Sequence, residues 1–427
     1  VYYSYDFSYY NIGFGGMNGF ATTSTAYNSS NSYYPAFVFS QGFPSPVIQP
    51  QGSKLGPNLA FTSQNFILWE GDTSTPMSQQ WDVSLQRQLS GSAVLDITYS
   101  GNHGTHLVAD DWNMNSLSPQ YLSMGDQLIQ QVANPYAGKV PGTQGSATVA
   151  MSQTLLPYPW LGALNINYPH LGNSIYHALY VSVQKRFSKG LVLLSTFSFS
   201  KLIDDDVNQS SAQGGGGVAG NFNIGYQNGA YNRALERGVD PNSVPKRFVT
   251  SATYELPFGH GKNALLNGLT GGWQANGVLT LSSGLPLVIR GANNHLANRP
   301  NVLRNPALPG DYKDTNSTLG VLWFDPTAFV NPPNWTYGNT PKTLPQLLAP
   351  GTINLDMSIF KNFHIKEKTQ LQFRVEAFNA PNHVNLLAPN TSFGANLNAS
   401  SNTNALFGRI TSAASPRQVQ LALKLMF

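Results

Sequence analysis

Three consecutive carboxylates, Asp204, Asp205 and Asp206, are the residues whose types and spacing most suggest a metal site. Clustered carboxylate oxygens are the ligands that a hard cation such as calcium prefers. The run lacks the spaced ligands and the turn glycine of a calcium-binding loop. We therefore expect a solvated acidic run, keep calcium as the weaker alternative and assign no metal.

Other reactive side chains do not combine into a recognisable site. His103 and His106 are separated by a spacing that places them on opposite faces of a strand. The glycine run at residues 214–217 lacks the Lys-Ser/Thr pair that follows a phosphate-binding loop. The sequence also contains no Gly-x-Ser-x-Gly motif. We predict no catalytic residues, no cofactor and no enzymatic activity.

Aromatic and amide side chains are candidates for binding a ligand from solution. They are abundant in residues 28–37, 134–142 and 329–339. Aromatic faces beside amide groups can stack on sugars or peptides. The same side chains also suit the packing of long loops against one another. We favour packing, and ligand capture is the alternative.

The composition limits the class of protein. Charged residues make up 10% of the 427 residues, against roughly 25% in soluble domains. The net charge of +4 is spread without clusters, which argues against a nucleic-acid partner. There is no cysteine, no apolar run long enough for a transmembrane helix and no secretion signal at the N-terminus. We expect any such signal to lie outside this sequence.

The elements that would position these residues are strands, because apolar and polar residues alternate along the chain. The pattern is clearest in the last ten residues, QVQLALKLMF. Similar alternation flanks the short segments 90–92 and 188–190, as in hairpins. About ten strands are predicted, at 1–10, 81–89, 93–99, 179–187, 191–199, 248–256, 273–281, 353–363, 371–378 and 418–427.

The connections between these strands alternate between short and long. Long connections are uncommon in compact soluble domains, whereas outer-membrane barrels have short turns at one rim and long loops at the other. We predict an all-β fold, an antiparallel transmembrane β-barrel with both chain ends at the periplasmic rim. A soluble β-sandwich is the alternative. The predicted long outer loops are 11–79, 102–174, 201–246, 283–352 and 380–417.

The two faces of the predicted strands would meet different surroundings. The apolar side chains of the last strand would contact lipid, and polar side chains of its neighbour would line the lumen. Aromatic residues near strand ends would form interfacial girdles. The lipid-facing residues of the last strand are Val419, Leu421, Leu423, Leu425 and Phe427, the lumen-facing ones are Gln370, Gln372, Arg374 and Glu376, and the girdle candidates are Trp81, Tyr99, Phe187, Trp273, Phe363 and Phe427.

Six blocks of the sequence resemble one family. Two of them are QQWDVSLQRQLSGSAVLDITYSGNHGTHL and NLDMSIFKNFHIKEKTQLQFRVEAFNAPNHVN. Together the blocks resemble the C-terminal barrel of the Oar-like TonB-dependent outer-membrane transporters, in particular acidobacterial members with a carboxypeptidase-regulatory-like N-terminal domain. The blocks lie at residues 79–107, 173–205, 246–262, 271–289, 354–385 and 407–427.

The resemblance implies a monomeric, 22-stranded barrel in the outer membrane of a Gram-negative-type bacterium, with an N-terminal plug. Residues 1–427 would be a single barrel portion of it, because the plug, the TonB box and the regulatory domain are not recognisable. Implied partners are outer-membrane lipid, the barrel-assembly machinery, which would read the terminal strand, and a TonB-type energising complex. The implied function is uptake or binding of an unidentified nutrient. A non-transporting surface or adhesin barrel and a secreted carbohydrate-binding β-sandwich are the alternatives.

Overall fold

The structure is a computed structural model of the whole chain. Most of the first predicted strand (residue 1 and residues 4–10), the glycine run, residues 28–37 and Asp206 lie outside the part that it describes. The described residues are 2–3, 39–42, 49, 65–68, 74–109, 112–140, 142–166, 169–188, 190–205, 208–210, 221–223, 233–258, 270–291, 294–296, 299–308, 315–316, 318–366, 369–394 and 402–427.

Ten strands form one antiparallel path in which each strand pairs with the next along the chain. They are β1 (Tyr2–Tyr3), β2 (Met77–Leu89), β3 (Ala93–Leu107), β4 (Gly172–Ser188), β5 (Leu191–Asp204), β6 (Lys246–Glu255), β7 (Trp273–Ser282), β8 (Thr352–Lys366), β9 (Thr369–Phe378) and β10 (Gln418–Met426). A short strand, Gly238–Val239, adds to the sheet at the end of β5. The prediction of an all-β, antiparallel fold is confirmed, and nine of the ten predicted strands lie close to their expected positions. Of the first strand, predicted at residues 1–10, the structure describes only Tyr2–Tyr3.

The register separates an apolar face of the sheet from a polar one. Phe373 lies opposite Leu423 and Val375 opposite Leu421, whereas Gln372 lies opposite Lys424. Directly opposed residues point to the same face, so a slip of one residue would move the whole apolar set to the other side. The same division extends from β2 to β10.

Short and long connections alternate along the path. Residues 90–92 join β2 to β3, and residues 189–190 join β4 to β5, whereas residues 108–171 separate β3 from β4. Both of these short turns contain a glycine with positive φ, 71° at Gly91 and 80° at Gly190. At Gly190 a Cβ atom would also approach the Glu255 carbonyl oxygen to 2.7 Å. Both the positive φ and the lack of space for a side chain therefore favour glycine at this position. The predicted alternation of the connections is confirmed.

The chain divides into two compact units. One unit holds the ten-stranded path, in residues 1–3, 76–107 and 172–427. Its connections add the 3₁₀ helices Arg233–Glu236 and Pro326–Ala328. They also add the strand pairs Asn208–Ser210 with Asn221–Asn223, Pro286–Leu287 with Leu344–Leu348, and Asn301–Val302 with Phe329–Val330, and the strand Gly320–Leu322 between Thr315–Asn316 and Arg409–Ile410.

The other unit comprises residues 4–75 and 108–171. Among the residues that the structure describes, no helix in the chain is long and apolar enough to cross a membrane. The elements of this unit are the strands Asn65–Leu68, Trp112–Asn113, Gln131–Ala133, Thr148–Ala150 and Ala163–Ile166, the 3₁₀ helices Phe39–Gln41, Pro119–Ile129 and Thr143–Gly145, and the α-helix Met151–Thr154. That the whole chain is one barrel portion stays a prediction.

The long connections of the first unit have a hydrophobic core of their own, which we call the loop core. The ring of Phe407 makes edge-to-face contacts with three other phenylalanine rings at centroid distances of 5.1–5.4 Å. Such contacts fix ring orientation as well as burying apolar area. The loop core consists of Leu287, Ile289, Phe324, Ala328, Phe329, Leu344, Leu347, Ala349, Phe393 and Phe407.

Candidate functional site

The four residues predicted to face the lumen share the polar face of β9. Gln372 donates a hydrogen bond to Asn362 Oδ1 at 2.8 Å. The Arg374 guanidinium lies over the Phe360 ring, 4.6 Å from its centroid. Glu376 accepts a hydrogen bond from Gln420, and Gln370 lies opposite Met426. Side chains of β8, β9 and β10 are therefore linked across this face, and its role as a lumen lining stays a prediction.

The apolar residues of the last strand lie on the opposite face. The side chain of Leu423 is 67% exposed and that of Leu421 is 69% exposed. Their neighbours Val419 and Leu425 are also exposed, and Phe427 follows the last residue of β10. A contiguous exposed apolar surface of this kind is typical of a membrane or protein contact.

Aromatic residues on the same apolar face cluster near the long-connection end of β2 to β4. Tyr99 and His177 are stacked, with the Tyr99 hydroxyl 2.8 Å from His177 Nδ1. The Trp81 indole lies over Gly101, where a Cβ atom would come within 2.2 Å of the ring. This glycine lets the indole lie flat along the sheet, as a residue of an interfacial girdle can.

Two of the predicted metal-site acids are buried and engaged in ion pairs. Asp204 pairs with Lys342. Asp205 lies 3.4 Å from the Arg233 guanidinium and accepts a hydrogen bond from the backbone N–H of Asn173 at 2.8 Å. The expectation of a solvated run is therefore wrong for these two residues. Across the described ranges, no group of three or more His, Asp or Glu side chains is arranged to hold a metal.

A fully buried ion pair joins the same connections. The side chains of Glu236 and Arg299 have no exposed area and form a hydrogen-bonded salt bridge. Arg299 also donates to the Thr340 carbonyl oxygen at 3.2 Å. Burial lowers the pKa of Arg299, and the charge of Glu236 opposes that shift. These contacts hold the connection between β5 and β6 against the connection between β7 and β8.

A second, more exposed pair stabilises the turn at Pro326–Ala328. The Asp325 carboxylate accepts the Thr327 backbone N–H at 2.9 Å and pairs with Arg304 at 2.7 Å. Burial raises the pKa of Asp325, but the hydrogen bonds from Thr327 and Arg304 outweigh this effect and hold the pKa below its usual value. A lowered carboxylate pKa stabilises the fold above the unfolded pKa, and this stability is lost as the pH falls through the folded pKa.

Replacing Asp325 with asparagine should therefore destabilise this turn at pH 7 by about 1 kcal/mol. Below the folded pKa of Asp325 the difference in stability between the variant and the parent protein should vanish, because the carboxylate is then protonated in both the folded and the unfolded state. Rates of limited proteolysis within residues 318–330 at neutral and acid pH measure this. Asp96→Asn, a change in β3, is the control, and an equal effect of Asp325→Asn at both pH values would contradict the assignment.

Two neighbouring cavities lie where the connections meet the sheet. One has a volume of about 460 Å³, and we call it the apolar cavity because most of its lining residues are aliphatic, beside the Trp323 indole, although Gln346 and His383 also line it. The other has a volume of about 690 Å³, and we call it the polar cavity after the carboxylate, amide and hydroxyl side chains that it contains alongside apolar ones. Its floor is the polar face of β7 to β10, where Thr280 lies opposite Asn354 and Phe378 opposite Gln418. This floor continues the face that carries Arg374 and Glu376.

A tight turn after β9 forms part of the wall of the cavities. Asn379 and Asn382 have positive φ, 50° and 56°. The Asn379 side chain accepts from the His383 N–H and donates to the His383 carbonyl oxygen, each at 2.9 Å. Asparagine tolerates this conformation because its amide bonds to the nearby backbone. The turn is therefore held rigidly beside Asp356, which accepts the Asn379 N–H at 2.9 Å.

The sequence did not predict these cavities. The lining of one of them comes from segments as far apart as Thr280 and Gln418, 138 residues along the chain. The local signal that could have been used is the Asn- and Pro-rich stretch FNAPNHVN, a composition typical of turns. Of the three segments rich in aromatic and amide side chains, residues 329–339 pack against other connections, as we predicted. Phe329 lies in the loop core, and the Trp335 ring is stacked on His295 with the ring centroids 5.2 Å apart.

Comparison with solved structures finds distant similarity to outer-membrane receptors. The outer-membrane transporter YddB of Escherichia coli aligns with a TM-score of 0.39 and 10% identity, over 86% of this chain and 34% of that one. The ferric-catecholate import receptor Fiu of E. coli K12 gives 0.34 and 8%, over 84% and 28%. FpvA of P. aeruginosa, bound to pyoverdine, gives 0.34 and 9%, over 83% and 27%. This chain thus spans about a third or less of their length.

Family membership rests on a different comparison. No curated protein matches the chain significantly. The family model described as the outer membrane beta barrel domain matches residues 1–420. This match agrees with the antiparallel path and its exposed apolar face, and it excludes the secreted β-sandwich. The protein is located in the outer membrane, and the chain belongs to the outer membrane beta-barrel domain family.

Proposed function

We infer that this chain is the barrel portion of an uptake receptor of the Oar-like TonB-dependent type, which captures a nutrient from outside the cell. The observation that carries the proposal is the polar face of β7 to β10, which continues into a preformed cavity beneath folded connections. Ligand sites are commonly concave, largely preformed and lined by a few placed polar groups. The six sequence blocks that resemble Oar-like transporters support the same proposal.

Partners follow from the proposed function. Outer-membrane lipid would contact the apolar face, and the barrel-assembly machinery would recognise the terminal strand from Val419 to Phe427. A TonB-type complex would act through a plug and TonB box in a longer chain. The complete receptor would then be a monomeric barrel with more strands than these ten.

A surface or adhesin barrel is the second candidate. The loop core favours it, because connections with their own hydrophobic core can present a fixed surface to a partner without any transport. An adhesin needs neither a plug nor an energising complex. The two candidates therefore differ in what else the native polypeptide contains.

The mass of the native polypeptide separates the two candidates. Outer-membrane fractions would be resolved on a gel and the bands identified by peptide mass spectrometry. We expect peptides of this chain in a polypeptide well above 46.3 kDa, with additional N-terminal sequence that includes a plug. A native chain of 46.3 kDa would contradict the uptake proposal and favour the surface role.

A further inference from the structure

The two cavities beside the sheet are neighbouring compartments. Pro350 and Leu386 line both of them. The wall that carries Leu386 is fixed to the chain before β10, because Leu387 N–H donates to the Ser412 carbonyl oxygen at 3.0 Å and Ala414 N–H donates to the Asn385 carbonyl oxygen at 2.8 Å. The two cavities therefore adjoin at Pro350 and Leu386.

The apolar cavity suits a hydrophobic group. The Trp323 indole N–H donates to the Leu348 carbonyl oxygen at 2.7 Å, so its polar atom is satisfied and its ring offers apolar surface. Leu322, Leu347 and Val384 complete much of the lining. Val384 is 66% exposed, which marks it as an edge of the opening.

The polar cavity has a one-sided charge. Asp356 is in its lining, and no lysine or arginine is among the described residues that line either cavity. One oxygen of Asp356 is used by the Asn379 N–H. Arg417, between the lining residues Pro416 and Gln418, is not itself in the lining, and its guanidinium donates to the Ala380 carbonyl oxygen at 3.3 Å. A carboxylate in the lining attracts positive charge and repels anions, and it does so more strongly in a partly enclosed site than in open water.

The polar cavity is also preorganised. The Asn385 side chain accepts the Ile353 N–H at 2.8 Å and donates to the Ile353 carbonyl oxygen at 2.9 Å. The turn at Asn379 and Asn382 is fixed in the same manner. A ligand therefore does not need to order these walls when it binds, which favours affinity.

We propose that the two cavities form one binding site for a cationic, peptide-like ligand, with an ammonium group directed to Asp356 and an apolar side chain beside Trp323. Backbone amides of the ligand would hydrogen-bond to the amide and hydroxyl groups of the polar cavity. This proposal rests on the proposed function, since it names the class of ligand that the receptor captures.

A pair of probes with the same apolar body and opposite charge tests the site. The cationic probe is L-leucyl-L-phenylalaninamide, and the anionic probe is its N-succinyl derivative. Calorimetry would measure their binding to the native outer-membrane protein, purified and reconstituted in lipid nanodiscs. We expect the cationic probe to bind at least about tenfold more tightly at low salt. This preference should shrink as salt rises from about 10 mM to about 500 mM.

Variants assign the effect to the named residues. Asp356→Asn should reduce the charge preference to within about twofold, because the amide oxygen can still accept the Asn379 N–H but carries no charge. Trp323→Ala should weaken both probes by about tenfold. Asp96→Asn removes a carboxylate from the same face of a distant strand and should change neither probe.

Three results would overturn the site: equal binding of the two probes, a preference that survives Asp356→Asn, or no binding of either probe to the unmodified protein. These results are separable from failure of the proposed function. A 46.3 kDa native chain that binds the cationic probe through Asp356 would remove uptake but keep the site. A longer, plugged chain that binds neither probe would remove the site alone.

Discussion

Replacing Leu423 with arginine is expected to prevent stable assembly of the barrel. Leu423 lies in the middle of β10, 67% exposed on the apolar face, opposite Phe373. An arginine at the lipid midplane costs about 2–4 kcal/mol, which is a large fraction of the net stability of a folded protein. The measurement is the fraction of protein in the outer membrane that is folded, judged by heat-modifiable mobility on gels.

The matched control is Gln420→Arg in the same strand. Gln420 points to the polar face and already bonds to Glu376, so an arginine there can pair with that carboxylate. Assembly of this variant should be close to that of the parent. If both arginines were tolerated, or if Gln420→Arg alone blocked assembly, the assignment of the two faces would be wrong.

Replacing Arg299 with methionine is expected to destabilise the connections by about 3–5 kcal/mol, because it removes the positive charge that is salt-bridged to the fully buried Glu236 carboxylate. The sheet itself does not depend on this pair, so the strands should remain folded while the connections open. Limited proteolysis, mapped by mass spectrometry, should show faster cleavage within residues 233–245 and 318–350. Cleavage of β2 to β5 should be unchanged.

Two further variants test the cause. The double change Glu236→Leu with Arg299→Met removes both charges, and it should recover most of the lost stability. Arg304→Met breaks the more exposed ion pair, in which Asp325 is the partner and the Arg304 side chain is 52% exposed. This change should lower the stability of the connections by no more than about 1 kcal/mol. Equal effects of Arg299→Met and Arg304→Met would mean that burial does not control the energetics of these pairs.

The sequence by itself determined the strands, their order and their faces. Alternation is a local property: Leu421 and Leu423 share a face because side chains on a strand repeat every second residue, whatever the rest of the chain does. Antiparallel pairing of consecutive strands then follows from short turns such as 90–92, where Gly91 supplies the left-handed conformation. The resemblance to Oar-like transporters suggested a function for the predicted barrel. The match to the family model then confirmed the β-barrel domain and its location in the outer membrane.

Only the tertiary structure decided what the long connections do. Asp204 and Asp205 read as solvated acids in the sequence, but Lys342 and Arg233 reach them from distant segments. Arg299 and Glu236 are likewise brought together by folding, as are the two cavities around Leu386. The physical reason is that these connections have no repeating pattern. Their burial and charge pairing depend on which distant segments meet, and a local reading of residues does not contain that information.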